Sequence, residues 1–186
     1  DFDLRRVVDE TVALFGPRLE GQGLAFTTAV ELGPQLMVHG DAGRVRQILA
    51  NLLGNAVKFT ERGSVRVEAA ELGKSEAGVR VHIAVQDTGI GIAPAVQAKL
   101  FQPFVQAAEF GRGGGTGLGL AISRQLARAM GGEIGVESAA DKGSTFWFTL
   151  ALPWALREAD RATGPTTDMR STGARPAGSG ASGRQL

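Results

Sequence analysis

The sequence predicts a mixed α/β domain that combines amphipathic helices with hairpin strands. Long segments carry apolar residues at helical spacing, and shorter segments alternate apolar with polar residues. Large apolar residues almost disappear after residue 154. Of the 186 residues 43% are hydrophobic and 21% charged, which suffices for one sizeable core with some chain left over.

Two amphipathic helices and a strand are predicted in the first sixty residues. Asp3 can cap a helix that ends near Gly16 and Pro17. Residues 24–30 alternate like a strand, and a short segment at 36–38 leads to a second cap, Asp41. The apolar stripe of the following helix consists of Val45, Ile48, Leu49, Leu52, Leu53 and Ala56.

A hairpin and a glycine-rich turn come next. Residues 65–69 and 81–85 alternate on either side of GKSEAG, so they predict two antiparallel strands. The second strand ends at Asp87 and runs directly into the cluster DTGIGI.

The second half predicts two helices and two more strands. Pro94 is placed in the first turn of a short helix through Leu100, and the glycine-rich stretch that follows predicts a mobile loop. A longer helix is closed by Gly131 and Gly132, and residues 133–137 and 144–152 predict strands. The predicted apolar stripe of this longer helix consists of Leu118, Ala121, Ile122, Leu126 and Ala129. We expect one domain over residues 1–154 and a disordered linker or tail over 155–186.

Composition excludes several kinds of partner. The net charge is +1, which gives no case for nucleic-acid binding or a basic membrane anchor. The absence of cysteine excludes disulfides and thiolate metal sites and favours a cytoplasmic location. No apolar run approaches the roughly 20 residues of a membrane span, so no membrane contact is expected, and the abrupt helical start suggests a fragment.

Two glycine clusters, DTGIGI and GTGLGL, indicate close approach of the backbone to a ligand. The second opens a helix, where consecutive amides bind anions, so it is a candidate phosphate cradle. It lacks the lysine of a Walker A loop, and neither cluster completes a dinucleotide fingerprint. Either cluster alone could be an ordinary turn. Asp87, however, ends an apolar strand, where its carboxylate could accept a hydrogen bond from an exocyclic amine such as that of a purine.

One face of the second helix carries three polar residues. Asn51 and Asn55 are four positions apart, and Lys58 lies one turn further on the same side. An amide oxygen and an ammonium so placed suit a cation that bridges phosphates. A solvated polar helix face is the alternative, and the spacing alone favours it over a binding site.

Taken together, four ordered segments resemble the nucleotide-binding boxes of sensor histidine kinase ATP-binding domains, within the superfamily that also contains gyrase. NLLGNAVKFT resembles the N box, DTGIGI and GTGLGL the two glycine boxes, and FQPFVQA the F box. The resemblance covers residues 3–153. It implies a two-layer α/β sandwich of the Bergerat type, with a mixed sheet of about five strands, helices on one face and a flexible ATP lid.

The resemblance also implies roles for individual residues. Asp87 would bind the adenine amine, with Gly89 and Gly91 letting the base approach and Thr145 assisting through its hydroxyl. Asn55 would ligate Mg²⁺. Asn51 and Lys58 would be the catalytic pair at the phosphates. The adenine pocket would also include Phe59 and Ile92.

The lid would run over residues 102–117. Phe101 and Phe104 would anchor its near edge, although both could equally be core residues. Its closing segment, which would bind phosphates, comprises Gly115, Thr116, Gly117, Leu118 and Gly119.

The resemblance favours phosphoryl transfer over hydrolysis. Gyrase-type ATPases carry a glutamate at the place of Asn51, and an amide cannot take a proton from water. The chain contains only His39 and His82, both predicted at the surface and neither in an acceptor box. The implied partners are therefore a preceding histidine phosphoacceptor and dimerisation domain, in a homodimer, and a response-regulator receiver domain. A nucleotide-binding scaffold, an ATPase and a serine-directed kinase are the alternatives.

Overall fold

A computed structural model of the chain describes residues 1–105 and 117–155. In chain order the elements are β1 (Phe2–Asp3), α1 (Leu4–Gly21), β2 (Ala25–Glu31), β3 (Met37–Val38), α2 (Ala42–Phe59), β4 (Ser64–Lys74), β5 (Gly78–Asp87), α3 (Pro94–Gln97), α4 (Gly119–Ala129), β6 (Ile134–Ser138) and β7 (Ser144–Pro153). The predicted order of helices and strands is confirmed, but the short helix predicted from Pro94 through Leu100 ends at Gln97.

The first helix begins where the sequence predicts and ends later. Asp3 caps α1, since its carboxylate accepts the amides of Arg5 and Arg6. The predicted end near Gly16 and Pro17 is wrong, because the helix continues to Gly21 with the proline inside it. The final turn is stabilised by burial of Leu19, which is fully enclosed and offsets the backbone hydrogen bond that Pro17 cannot donate.

The second helix forms the centre of the helical layer. Asp41 caps α2 by accepting the amide of Arg44, as predicted. Every member of its predicted apolar stripe is buried, and these residues belong to one continuous core with α1 and the sheet. The stripe fixes the rotation of the helix, and therefore fixes where its polar residues lie.

A five-stranded mixed sheet in the order β2-β4-β5-β7-β6 forms the second layer. The β2 and β4 strands are parallel, and the remaining neighbours are antiparallel. The β4–β5 pair is the predicted hairpin, with a register shift between Glu71 and Gly73. The predicted two-layer α/β sandwich with about five strands is confirmed. A small antiparallel pair, β1 with β3, was not predicted.

Alternation along β5 decides which residues reach the core. Val81, Ile83 and Val85 are buried, and Asp87 continues the same row at the end of the strand. The neighbouring position on β7 is Ser144, which pairs directly with Asp87. Strand geometry thus carries a carboxylate onto the helix-facing side of the sheet.

The α4 helix deviates from the predicted pattern on one side. Ala121 and Ala127 are buried as expected of an inner face, but Ile122 and Ala129 are exposed. Ser123 takes an inward position and is 1% exposed. The predicted stripe was misplaced because a buried serine interrupts it. Gly131, with a positive φ of 69°, follows the last turn as predicted.

The predicted tail lies outside the described residues except for Ala155, whose amide donates to the carbonyl of Met37. The boundary at residue 154 and the disorder of the tail stay predictions. Within the described residues, no helix combines the length and apolar character that a membrane crossing requires.

Candidate functional site

The buried carboxylate of Asp87 is the centre of the candidate site. The residue is 6% exposed although it ends a strand, and the amide of Gly89 donates to its Oδ1 at 2.8 Å. Burial raises the pKa of the Asp87 carboxyl above its ordinary value, while backbone hydrogen bonds from Gly89 and Ser144 lower it less strongly. No cationic side chain among the residues that the structure describes shifts this pKa, so the buried carboxyl is available to accept a hydrogen bond from a ligand.

The structure places Ser144, rather than Thr145, beside Asp87. Ser144 pairs with Asp87 across the strands, whereas Thr145 pairs with Gln86 and Glu137, which are exposed. Successive side chains on a strand point to opposite faces, so Thr145 lies on the other side of the sheet. The sequence shows that both residues begin the last strand. Choosing Ser144 over Thr145 requires the pairing register of β5 and β7, which only the structure gives.

The glycines of the first cluster have a reason that involves no ligand. A Cβ at Gly89 would lie 2.3 Å from the carbonyl oxygen of Phe59, and one at Gly91 would lie 1.9 Å from that of Ala139. Gly91 also has a φ of 65°. Both glycines therefore let the turn pack against the end of α2 and the β6–β7 turn. The two glycines were predicted to let a base approach. In the structure, the space that their side chains would fill is occupied by the protein's own backbone.

The polar face of α2 points towards α4. Nδ2 of Asn51 donates to Oγ of Ser123 at 3.0 Å, and a Cβ at Gly119 would lie 2.3 Å from Oδ1 of Asn51. Asn55 and Lys58 are half-buried on the same side of the helix, as their spacing predicted. The sequence does not predict the role of Ser123, because a serine inside an apolar helical pattern gives no signal of its partner.

The remaining predicted pocket residues border this face. The ammonium of Lys58 lies 4.9 Å from the centre of the Phe59 ring. Phe59 and Ile92 are half-buried, and Ile92 packs against the core. Asn51, Asn55, Lys58 and Phe59 therefore share one side of α2, and the C-terminal end of that helix packs, through the Phe59 carbonyl, against the glycine turn that follows Asp87.

Gln97 joins the loop at Ile92 to the end of β6, and the sequence did not predict this role. Its Nε2 donates to the carbonyl oxygen of Ile92 at 2.7 Å and to that of Ser138 at 2.8 Å. The two hydrogen bonds use both amide protons, so α3 is tied to the end of β6. A lone glutamine in a short helix gives no sequence signal of such a clamp.

The two described ends of the predicted lid meet each other. The amide of Phe104 donates to the carbonyl oxygen of Gly117 at 3.1 Å, and Gly117 has a φ of 68°. Phe104 is 74% exposed, so the alternative that it is a core residue is wrong, whereas Phe101 is half-buried. Gly115 and Thr116 lie outside the described residues, while Leu118 caps and Gly119 begins α4.

The two histidines lie away from Asp87. His39 is exposed, with Nδ1 at 3.0 Å from a carboxylate oxygen of Asp1. His82 is on the sheet face opposite the helices, where it is half-buried beside the ring of Trp147. The surface prediction holds for His39 and only partly for His82.

A comparison with family models decides the family. The model described as histidine kinase-, DNA gyrase B-, and HSP90-like ATPase matches residues 40–153, which include every predicted site residue. The chain belongs to this family.

Relatives of this family member include sensor kinases. It is 43% identical over 175 residues to the sensor histidine kinase AruS of Pseudomonas aeruginosa, covering 91% of this chain and 17% of AruS. It is 41% identical over 153 residues to the signal transduction histidine-protein kinase BarA of Escherichia coli K12, covering 81% of this chain and 17% of BarA. The chain thus spans about a fifth or less of the length of these curated relatives.

Solved structures agree with this family membership. Full-length ShkA in complex with AMPPNP superimposes with a TM-score of 0.70 at 38% identity, covering 84% of this chain and 31% of ShkA. The nucleotide-free catalytic domain of histidine kinase ThkA superimposes with a TM-score of 0.65 at 26% identity, covering 81% of this chain and 94% of that domain.

Proposed function

We propose that the chain binds Mg²⁺ and ATP and transfers the γ-phosphoryl group to a histidine of a dimerisation and phosphoacceptor domain in the same protein. The phosphoryl group then passes to an aspartate of a response-regulator receiver domain, as in two-component signalling. The observation that carries the proposal is the buried carboxylate of Asp87, which ends β5 immediately before the glycine turn that packs against the end of α2.

At the base end, Asp87 would accept the exocyclic amine of adenine. Its carboxylate already receives the Gly89 amide on Oδ1, and a carboxylate has acceptor capacity left for one more donor. Guanine presents a carbonyl oxygen at the corresponding position, which a carboxylate repels. The site should therefore prefer ATP to GTP.

At the phosphate end, Asn55 would contribute an amide oxygen to Mg²⁺. Within the described residues no cluster of three acidic, histidine or cysteine side chains could hold a metal alone. In this proposal the phosphates of ATP would supply most of the ligands. This donor set fits Mg²⁺, which is commonly bound through one or two side chains plus substrate phosphates and neutralises their charge. Lys58 would add a positive charge at the phosphate oxygens.

Asn51 supports transfer rather than hydrolysis. Its Nδ2 is committed to Ser123, and an amide has no basic site with which to activate water. Phosphoryl transfer needs mainly positioning and charge neutralisation, which an amide and a lysine can supply. The nucleophile must then come from another domain, because His39 and His82 lie away from the site.

The proposed assembly follows from this mechanism. The functional protein would be a homodimer whose phosphoacceptor helices form the contact, acting in the cytoplasm without contacting nucleic acid. The names of AruS and BarA as histidine kinases support the transfer activity in this proposal. The alternative functions of scaffold, ATPase and serine-directed kinase make different predictions in the experiment below.

The proposal is tested in two steps. Calorimetry of the 186-residue chain with ATP, with and without Mg²⁺, should show binding that Mg²⁺ strengthens; Asn55→Ala should lose the Mg²⁺ effect. The chain is then incubated with γ-labelled ATP and a separately produced histidine phosphoacceptor domain, beside a matched domain whose histidine is replaced by glutamine. We expect acid-labile, base-stable label only on the domain that retains its histidine.

Three outcomes contradict the proposal. Acid-stable label indicates a serine-directed kinase, and phosphate release without transfer indicates an ATPase. If the folded chain binds no ATP at millimolar concentration, a scaffold function replaces the kinase.

A further inference from the structure

The hydroxyl of Thr60 is buried without a hydrogen bond. Thr60 is 3% exposed, and Oγ1 is the one buried side-chain nitrogen or oxygen without a partner among residues 1–105 and 117–155. Leaving a buried hydroxyl unsatisfied costs about 1–3 kcal/mol, and native proteins rarely tolerate it. The residue therefore calls for a reason beyond packing.

The surroundings of Thr60 place that hydroxyl beside Asp87. Thr60 caps the C-terminus of α2, with its amide bonded to the carbonyl oxygen of Ala56. The preceding carbonyl, that of Phe59, packs against Gly89 two residues after Asp87. Thr60 is close enough to the Asp87 carboxyl to lower its pKa, less than Gly89 and Ser144 do, although its hydroxyl is not in hydrogen-bonding geometry.

We infer that Thr60 is a positioning residue for Asp87: its hydroxyl rotates to donate to the carboxylate when that carboxylate accepts the amine of a purine base. A rotation about the Cα–Cβ bond between staggered positions is enough to redirect a threonine hydroxyl. The donated bond holds the carboxylate ionised and oriented, which strengthens the bond to the amine. This inference rests on the proposed function, since it concerns the same base site.

Other groups near Asp87 leave room for this role. Its pKa is shifted by burial, by the amides of Gly89 and Ser144, and by Thr60, and no charged side chain of the described residues contributes. Ser144 donates its backbone amide, while its hydroxyl lies 3.0 Å from that of Ser138. Thr60 is therefore the side-chain donor best placed to respond to the state of the carboxylate.

The test compares Thr60→Val and Thr60→Ser in the 186-residue chain. Valine keeps the shape and removes the hydroxyl, whereas serine keeps the hydroxyl. Calorimetry measures affinity for ATP and for purine riboside triphosphate, which lacks the 6-amine, and thermal unfolding without nucleotide is recorded for each variant. We expect Thr60→Val to weaken ATP binding about 5-fold and to leave purine riboside triphosphate binding unchanged. The melting temperature should stay the same or rise, and Thr60→Ser should retain ATP affinity.

The possible results separate the inference from the proposed function. Equal losses for both nucleotides, or a lower melting temperature that explains the loss, would indicate a purely structural residue and overturn the inference. Unchanged ATP affinity in Thr60→Val would overturn it as well, while leaving ATP binding intact. Failure of the proposed function would instead appear in the unmutated chain, which would bind neither nucleotide.

Discussion

The two ends of the candidate site are built differently. At the base end, Asp87 is 6% exposed, and backbone amides and strand pairing hold it in place. At the phosphate end, half-buried side chains on α2 face α4, and a hydrogen bond from Asn51 to Ser123 joins the two helices. Backbone geometry thus defines one end, and side-chain contacts define the other.

Under the proposed function, this difference separates recognition of the base from catalysis at the phosphates. A base site held mainly by the main chain, in which only the Thr60 hydroxyl is inferred to turn, costs little to organise when a ligand arrives, so it can give specificity. A phosphate site made of side chains can rearrange as Mg²⁺ and an incoming nucleophile bind. Substitutions at the base end should therefore affect nucleotide choice or stability, and those at the phosphate end should affect contacts between helices.

The largest effect is expected from Asp87→Asn. The amide presents a donor where the carboxylate presents an acceptor, so ATP affinity should fall by about 1–3 kcal/mol in binding free energy. Stability at neutral pH should be little changed, because removal of a buried charge offsets the loss of an accepted hydrogen bond. Calorimetry and chemical unfolding measure both quantities.

An unchanged ATP affinity in Asp87→Asn would remove the base end from the proposed site. Asp41→Asn is a suitable control, because Asp41 is an exposed cap at the N-terminus of α2, the end of that helix opposite Phe59 and Thr60.

The next largest effect is expected from Gly89→Ala. A Cβ there meets the carbonyl oxygen of Phe59 at 2.3 Å, which is backbone and cannot swing away. We expect a loss of about 2 kcal/mol in the free energy of unfolding. The matched control is Gly54→Ala, because no described atom lies within 4 Å of a Cβ at that helical position. This change should stabilise the protein by about 0.5–1 kcal/mol.

Urea unfolding of the two glycine variants gives both values. Equal changes in the free energy of unfolding for Gly89→Ala and Gly54→Ala would mean that the backbone around Gly89 is packed no more tightly than the surroundings of Gly54.

A smaller effect is expected from Ser123→Ala. The substitution leaves the Asn51 amide without its acceptor, so the free energy of unfolding should fall by about 1 kcal/mol. A double-mutant cycle with Asn51→Ala isolates the pair and should give a coupling energy of at least 0.5 kcal/mol. Additive effects would show that the two helices are not joined by this contact in solution.

Element types were predictable because their patterns are local. The stripe of α2 and the alternation of β4 and β5 follow from spacing alone, and the caps Asp3 and Asp41 follow from residue type. The end of α1 was not predictable, because burial of Leu19 outweighs Pro17 only in the folded chain. The face of α4 was misread for the same reason, since Ser123 is buried through a partner 72 residues away.

The site was predictable to the extent that it lies in continuous motifs. Asn51, Asn55 and Lys58 share a face through helical spacing, and Asp87 marks a strand end. Ser144, Ser123, Gln97 and Thr60 were missed because their contacts depend on strand register or on helix packing. The binding roles of all the predicted site residues stay predictions, and Gly115 and Thr116 also lie outside the described residues.

The smallest expected effect that tests the difference between the base end and the phosphate end is the pH dependence of the free energy of unfolding. Burial raises the folded pKa of Asp87 above its ordinary value of 3.8, so between these two pKa values the folded state binds more protons than the unfolded state. The contribution of Asp87 to stability is therefore present below pH 3.8 and is lost as pH rises through the folded pKa. Glu10 and Glu71 act in the opposite direction, because hydrogen bonds from Arg6 and Lys74, respectively, lower their pKa values below 4.5.

Subtracting the unfolding free energies of Asp87→Asn from those of the unmutated chain, pH by pH, cancels Glu10 and Glu71 and leaves the Asp87 contribution. We expect this difference to fall as pH rises from 3.8 and to become constant above the folded pKa. A flat difference would mean that water reaches the carboxylate in solution. A buried carboxylate at the base end is the feature that distinguishes it from the phosphate end, so a flat profile would also remove that distinction.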